Sequence, residues 1–411
     1  MSTSFVPTPQ RRARPEWPEG HLNSDALAQL GWTPVPIRQF LFKVFTRCNL
    51  NCDYCYVYEL ADQSWREKPG IMSLEVMQAA ADRIGEHAAT HGLDEVRLIL
   101  HGGEPLLAGA GFFEDLTRIV RAAVGPATRV AFGMQTNGVL LTDEWIDRCA
   151  RLGISIGISL DGDREANDRH RNFKNGTSSY DQVINAIDRV QTSEHSDIFT
   201  GVLCTMDLAN DPVATYGHLV ALGVPAVDFL LPHGNWTEPP PGWEGPDRTA
   251  HADWLIPIFD RWFDAPHRAV RIRFLEEIMN LVLGGVSQVE TIGLTPATLV
   301  VVETNGMIEQ VDSLKSAFDG AAGTGLSVFD DSFDDALATA GMAARQLGAR
   351  ALAPTCQECD LDQLCGGGYY PHRYQEGSGF LNPSVYCADL YRLISHVQTR
   401  IKAALAAPPA R

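Results

Sequence analysis

Positive charge is scarce in this sequence: 33 lysines and arginines face 51 aspartates and glutamates in 411 residues, a formal charge of −18. Such a surplus repels phosphates, which excludes nonspecific binding of nucleic acid or anionic lipid as a main activity. No apolar run approaches the roughly 18 residues of a membrane span, and the N-terminal "MSTSFVPTPQRRARPEWPEG" lacks the apolar core of a signal peptide. The expectation is a cytoplasmic protein without nucleic-acid or membrane partners. In a reducing compartment its nine cysteines stay thiols, and clustered ones read as metal ligands or catalysts rather than disulfides. The hydrophobic fraction of 45% and the length suffice for a barrel-sized domain plus a smaller second one.

From Phe40 onward, β-rich apolar runs alternate with amphipathic stretches: "FLFKVFTRC", "EVRLILHGG", "RVAFGMQTNG", "SIGISLDG", "FTGVLCTM" and "AVDFLLPHG". This predicts an α/β fold of six βα units, a partial TIM-like (βα)6 barrel, whose strand ends share one face. Helices are expected at Leu74 to His91 with Ser73 as cap, Phe112 to Val124, Asp143 to Leu152, Tyr180 to Gln191, Pro212 to Leu222 and Asp253 to Phe263. The Pro- and Gly-rich segment 232–250 closes the barrel or forms a lid. "LVVVETNGMIEQVD" reads as a hairpin turning at Asn305-Gly306. The expected division is an N-terminal extension over 1–36, with "LAQLGW" as a short helix, a barrel over 37–250, a helical bridge over 251–285 and a separate C-terminal domain over 286–405.

Cys48, Cys52 and Cys55 stand in C-x3-C-x2-C spacing at the end of the first strand, with no obvious fourth ligand nearby. Structural zinc wants four closed ligands. A cubane cluster held by three thiolates leaves one iron open to another ligand. In this stretch the sequence resembles the radical S-adenosylmethionine (SAM) superfamily, in which that open iron binds SAM and reductive cleavage yields a 5′-deoxyadenosyl radical. The resemblance continues through "GGEP" at Gly102, Gly103, Glu104 and Pro105, "TNG" with Asn137, and "SLDG" with Ser159. It implies that the backbone and Glu104 hold the SAM ammonium, that Ser159 contacts SAM, that Arg171 pairs with its carboxylate and that Tyr54 lies against adenine. Glycine suits a loop that a ligand approaches closely, and guanidinium suits a carboxylate. His101 and His233 are expected to face the barrel mouth.

A second group, Cys356, Cys359, Cys365 and Cys387, supplies four thiolates in C-x2-C-x5-C…C order. That set closes around a zinc or a cubane, and spacing does not choose between them. The segment resembles the SPASM extension of radical SAM peptide-modifying enzymes, whose fuller form carries two auxiliary clusters. By that resemblance these four cysteines hold one auxiliary cluster, while Val311 and Tyr369 stand where the other cluster's ligands would be. The expected cofactors are therefore SAM and two 4Fe-4S clusters, about eight irons per chain. Asp312 matches an aspartate that serves as candidate base in sulfatase-maturing relatives, a role that a carboxyl with a raised pKa would suit. Cys149 and Cys204 read as buried structural thiols.

The stretches "CYVYELADQSW", "LDGDREANDRHR", "LLPHGNW", "CGGGYYPHRY" and "NPSVYCADL" are similar to the FxsB branch of SPASM maturases. That likeness implies a ribosomally made precursor peptide as substrate, an electron donor such as flavodoxin or ferredoxin, and a three-residue cyclophane joining an aromatic ring to a β-carbon. The alternatives are oxidation of a Cys or Ser to formylglycine and a noncatalytic metal-binding or electron-transfer protein.

Overall fold

The computed structural model describes residues 31–406 together with Leu27 and Gln29; those two are helical, within the expected "LAQLGW" helix, and the rest of the N-terminal extension lies outside the described residues. All six expected strands form: β1 Gln39–Phe45, β2 Glu95–Gly102, β3 Arg129–Thr136, β4 Ile154–Ser159, β5 Phe199–Thr205 and β6 Ala226–Leu230. They pair in chain order and in parallel, as a partial barrel requires. Parallel neighbours need crossovers, supplied by helices Leu74–Thr90, Ala110–Val124, Asp143–Leu152, Tyr180–Thr192 and Pro212–Ala221. Local chemistry sets their ends. Ser73 Oγ accepts from the Val76 amide at 3.2 Å and Asp211 from the Ala214 amide at 2.7 Å, while Gly153 ends its helix at φ 67°. Five consecutive residues of β1 are buried, so both faces of the strand are covered.

Three features lie beyond the sequence expectation. First, the helical bridge contains β7 Arg271–Ile272, which adds a seventh parallel strand beside β6. Two residues are too few to show a period of two. Second, helix Ala250–Phe263 begins three residues before Asp253, because the Asp389 carboxylate accepts from the amides of His251 and Ala252 at 2.8 and 2.9 Å. That cap comes from the distant helix Cys387–Ala406. Third, β8 Leu299–Val302 pairs in parallel with β1, β9 Met307–Glu309 returns antiparallel through the expected turn, and β10 Gly323–Ser327 follows. One ten-stranded sheet results, in the order β10-β9-β8-β1-β2-β3-β4-β5-β6-β7.

Residues 231–249 carry neither helix nor strand. The segment is tied across the cavity mouth by Trp236, whose amide donates to Tyr374 O at 2.9 Å and whose indole donates to Pro383 O at 2.7 Å. Among the described residues no helix is long and apolar enough to cross a membrane.

Candidate active site and metal centres

The C-terminal ends of the strands open into a cavity of about 700 Å³. Its wall brings together Cys48, Cys52 and Cys55 with Tyr54, His101, Gly102, Gly103, Asn137, Ser159 and Arg171. The cysteine loop is wound by turns, with the Cys55 amide donating to Cys52 O at 3.1 Å and the Glu59 amide to Cys55 O at 2.8 Å. Burial pushes the Cys48 thiol up to about 12 and Cys55 to about 11, and raises Cys52 as well. Such thiols ionise readily only beside a strong positive centre such as iron. No three sulfurs of this set, nor of the C-terminal set, lie within 4.8 Å of one another. A single tetrahedral zinc, with Zn–S near 2.3 Å, needs sulfur edges of about 3.8 Å. Both donor sets therefore fit a polynuclear cluster better than one ion.

The glycines have a reason that the sequence does not reveal. A Cβ on Gly102, at φ 141°, would sit 2.2 Å from Phe45 O, and one on Gly103 would sit 2.3 Å from Arg47 O. Bare backbone is needed because β1 and the cysteine loop press on these residues from behind. Glu104 departs from its expected contact. It is wholly buried and absent from the cavity wall, and its carboxylate is occupied by the Leu106 amide at 3.0 Å, Thr136 Oγ1 at 2.7 Å and the Asn137 amide at 2.8 Å. It ties the GGEP loop to the TNG loop. Asn137 in turn donates to Asn49 Oδ1 at 2.8 Å, bracing the residue after Cys48.

Across the cavity, Tyr54 OH donates to Asp161 Oδ2 at 2.5 Å and accepts from Arg171 at 2.9 Å. Arg171 is 7% exposed, and its Nε is buried without a partner, a donor left over for a ligand. Ser159 accepts from Gln135 at 2.9 Å. Asp161 was not singled out from the sequence, although it sits two residues past Ser159 within the same motif. His101 Nδ1 lies 3.0 Å from Lys43 Nζ, and burial, then the Lys43 ammonium, lowers its pKa to about 4. An ammonium donates only, so Nδ1 is the acceptor and the ring's proton sits on Nε2. His233 also lines the cavity; burial lowers it to about 4, and its Nδ1 has no partner.

Asp312 requires a correction. It is 4% exposed, outside the cavity wall, and forms a buried ion pair with Lys43. Tyr56 OH, on the wall, donates to it at 2.7 Å. Burial works to raise its pKa, as anticipated for a base, but Lys43, His101 and these hydrogen bonds outweigh burial and hold the carboxyl well below the usual range. Lys43 was missed, although a lone lysine within a seven-residue strand otherwise rich in apolar residues signals a buried partner.

Cys356, Cys359, Cys365 and Cys387 surround a second cavity of about 230 Å³. Burial raises Cys356 to about 11 and Cys365 to about 12. Val311 packs in an apolar group with Leu314, Tyr370, Tyr374 and Phe380, and Tyr369 hydrogen-bonds Ser313, so side chains fill those positions. Cys149 and Cys204 are buried in a helix and in β5. His87, His91 and Asp334 also lie close enough together for an ion. The Ile37 amide, however, donates to His87 Nε2 at 3.0 Å, which leaves the imidazole proton on Nδ1, facing Asp334, and no lone pair for a metal.

Residues 42–207, which hold the cysteine loop, match the family model of the Radical SAM superfamily. The chain is similar to a serine-type anaerobic sulfatase-maturating enzyme of Klebsiella aerogenes, 26% identical over 374 residues, which cover 89% of this chain and 86% of that enzyme. A cysteine-type anaerobic sulfatase-maturating enzyme of Clostridium perfringens is 24% identical over 286 residues, 67% of this chain and 74% of that one. The solved structure of anSMEcpe with bound AdoMet aligns with a TM-score of 0.76 at 22% identity, over 90% of this chain and all of that one. Streptococcus suis SuiB bound to precursor peptide SuiA aligns with a TM-score of 0.54 at 14% identity, over 88% of this chain and 78% of that one. At those identities the two structures speak to the fold alone.

Proposed function

We propose that this protein is a radical SAM maturase that abstracts a β-hydrogen from a ribosomally made peptide and closes a three-residue cyclophane between that carbon and an aromatic ring. The observation that carries the radical chemistry is the convergence on one cavity of three thiols, the unpartnered Arg171 Nε and a wall of Tyr56, Leu231, His233, Pro239 and Pro241, leaving room for a peptide side chain beside the cofactor. The product assignment rests on the FxsB resemblance. When bound, SAM and the cluster on Cys48, Cys52 and Cys55 supply a carbon-centred radical, after reduction by a donor of the flavodoxin or ferredoxin class.

The chain's own residues do the rest. Arg171 takes the SAM carboxylate, Tyr54 and Ser159 line the cofactor's side of the cavity, and Glu104 fixes the two loops between them. His101 offers Nε2–H to a substrate or cofactor oxygen and does not act as a base. Asp312, held ionised by Lys43, meets the cavity through the Tyr56 hydroxyl that donates to it, so it orients that hydroxyl toward the substrate rather than taking the substrate's proton. Cys356, Cys359, Cys365 and Cys387 would hold a cluster that, when bound, would supply an acceptor for the electron released on rearomatisation.

Oxidation of a Cys or Ser to formylglycine is the second reading, favoured by the similarity to the Klebsiella and Clostridium sulfatase-maturating enzymes. Anaerobic coexpression with the precursor peptide separates the two. Loss of two hydrogens with blocked backbone fragmentation between the linked residues supports the cyclophane, whereas capture of the product by a hydrazide supports formylglycine. Failure of the reconstituted, dithionite-reduced protein to form 5′-deoxyadenosine from SAM would sink both.

A further inference from the structure

The run "CGGGYYPHR" holds a buried arginine that nothing above uses. Arg373 is 8% exposed, and among the described residues no carboxylate pairs with it. Its guanidinium donates to Gly366 O at 2.6 Å and Gly368 O at 2.7 Å, lies 5.5 Å from the centroid of the Tyr370 ring and leaves Nε without a partner. A buried cation without a counter-ion is strongly disfavoured, so such a group points to an anion close by. Cys356 and Cys365, which become thiolates when they ligate a cluster, are ionisable groups whose charge acts on Arg373.

The loop between them is built as a bridge. Gly366, Gly367 and Gly368 take φ of 60°, 73° and 68°, and a Cβ on Gly367 would lie 3.1 Å from Arg373 Cζ. The Gly366 carbonyl accepts from the guanidinium while the amide of the same peptide, on Gly367, is turned toward the Cys365 sulfur. A cation on the carbonyl polarises that peptide and strengthens the N–H···S interaction at its other end.

We propose that Arg373 sets the reduction potential of the iron–sulfur cluster held by Cys356, Cys359, Cys365 and Cys387, both as counter-charge to the electron taken up and through the Gly366–Gly367 peptide. In that step the cyclised ring radical would lose one electron to the oxidised cluster and one ring proton to water, restoring the aromatic ring; no bond to Arg373 forms and Arg373 loses no proton. Positive charge and N–H···S bonds both favour the reduced cluster, making it a better acceptor. The inference rests on reading these four cysteines as a cluster site.

Anaerobic potentiometric titration followed by electron paramagnetic resonance tests it on the loaded protein. At the poise where the unsubstituted cluster is half reduced, Arg373→Gln raises the oxidised-to-reduced ratio at least tenfold, about 59 mV for a one-electron couple. Arg373→Lys, which keeps the charge, raises it by less than about threefold. A ratio for Arg373→Gln within twofold of the unsubstituted protein overturns the proposal. If Arg373→Gln does not load, double resonance on the unsubstituted cluster decides: a strongly coupled, deuterium-exchangeable proton supports the Gly367 bridge, and its absence overturns it. If Cys387→Ser removes no iron, the cluster reading itself has failed, an outcome distinct from either.

Discussion

Lys43 and Asp312 join β1 to the turn after β9, and they are 2% and 4% exposed. Substituting Lys43→Met leaves the Asp312 carboxylate buried with Tyr56 OH as its remaining close donor and His101 at 3.8 Å. Breaking one side of such a pair costs about 3–5 kcal/mol, whereas replacing both sides by apolar groups is close to neutral. With an unfolding entropy of about 0.9 kcal/mol/K for a chain of this length, the single variant should melt about 3.5–6 °C lower. The double variant Lys43→Met/Asp312→Leu should recover most of that loss. The sign with pH follows from Asp312, whose folded pKa lies below its unfolded value: the pair's contribution is complete above about pH 4 and is lost as pH falls through the folded pKa. Thermal melts of the anaerobic, cluster-loaded proteins at pH 7 measure this. A drop under 1 °C for Lys43→Met, or a double variant no more stable than the single, would refute the buried ion pair and return Asp312 to the role of a free base.

Glu104→Gln sets an amide NH2 against backbone and hydroxyl donors that now find carboxylate oxygens, so SAM affinity measured by equilibrium dialysis should fall about tenfold or more while iron content holds; unchanged affinity would mean the loops do not need this tie. Cys387→Ser should take iron from about eight to about four per chain with SAM cleavage retained. His101, His233 and His251 are each held at about 4, so below the unfolded value of about 6.5 the unfolded chain binds protons that the folded chain refuses. Stability should therefore fall as pH drops from 6 to 4.5, by about 4 kcal/mol per pH unit if all three act together; a melting temperature that is flat from pH 7 to 5 contradicts their burial as neutral rings.

The strands of the barrel were legible because each is a run of apolar residues ending in a motif with its own chemistry, and the three-cysteine loop follows the first of them. What stayed hidden is contact between distant segments. β8 reads as one arm of a local hairpin, and nothing in "LVVV" says that its other edge pairs with β1. The Asp389 cap lies 138 residues from the His251 amide that it accepts from. The GGEP glutamate carries the residue type of a ligand contact, yet its place behind the wall depends on Thr136 and the Asn137 amide. Asp312 shows the same limit in electrostatics: burial alone would raise it, and the deciding cation sits 269 positions earlier on another strand.

The seam between the cysteine loop and the β8–β9 hairpin accounts for why these distant groups meet reliably. Lys68, just beyond the loop, contacts Glu303 at 2.9 Å and Glu309 at 2.6 Å, while Lys315 contacts Glu309 at 3.0 Å and also pairs with Glu303. All four side chains are less than 10% exposed, and their charges sum to zero. Apolar packing alone would tolerate a slip of the hairpin, but a shift of one residue would turn Glu309 to the other face and strand two lysines in the core. The charge square thus fixes the register of β9, and β9 fixes where Asp312 arrives three residues later. Thr304 Oγ1 and Thr46 Oγ1 accept the same geometry by both donating to Pro69 O, at 2.9 and 2.8 Å, one from the hairpin and one from the strand that leads into Cys48. The wall that carries Tyr56 and the carboxylate behind it are consequently set by the same buried charges, so a change in the hairpin reaches the cavity through register rather than through direct contact.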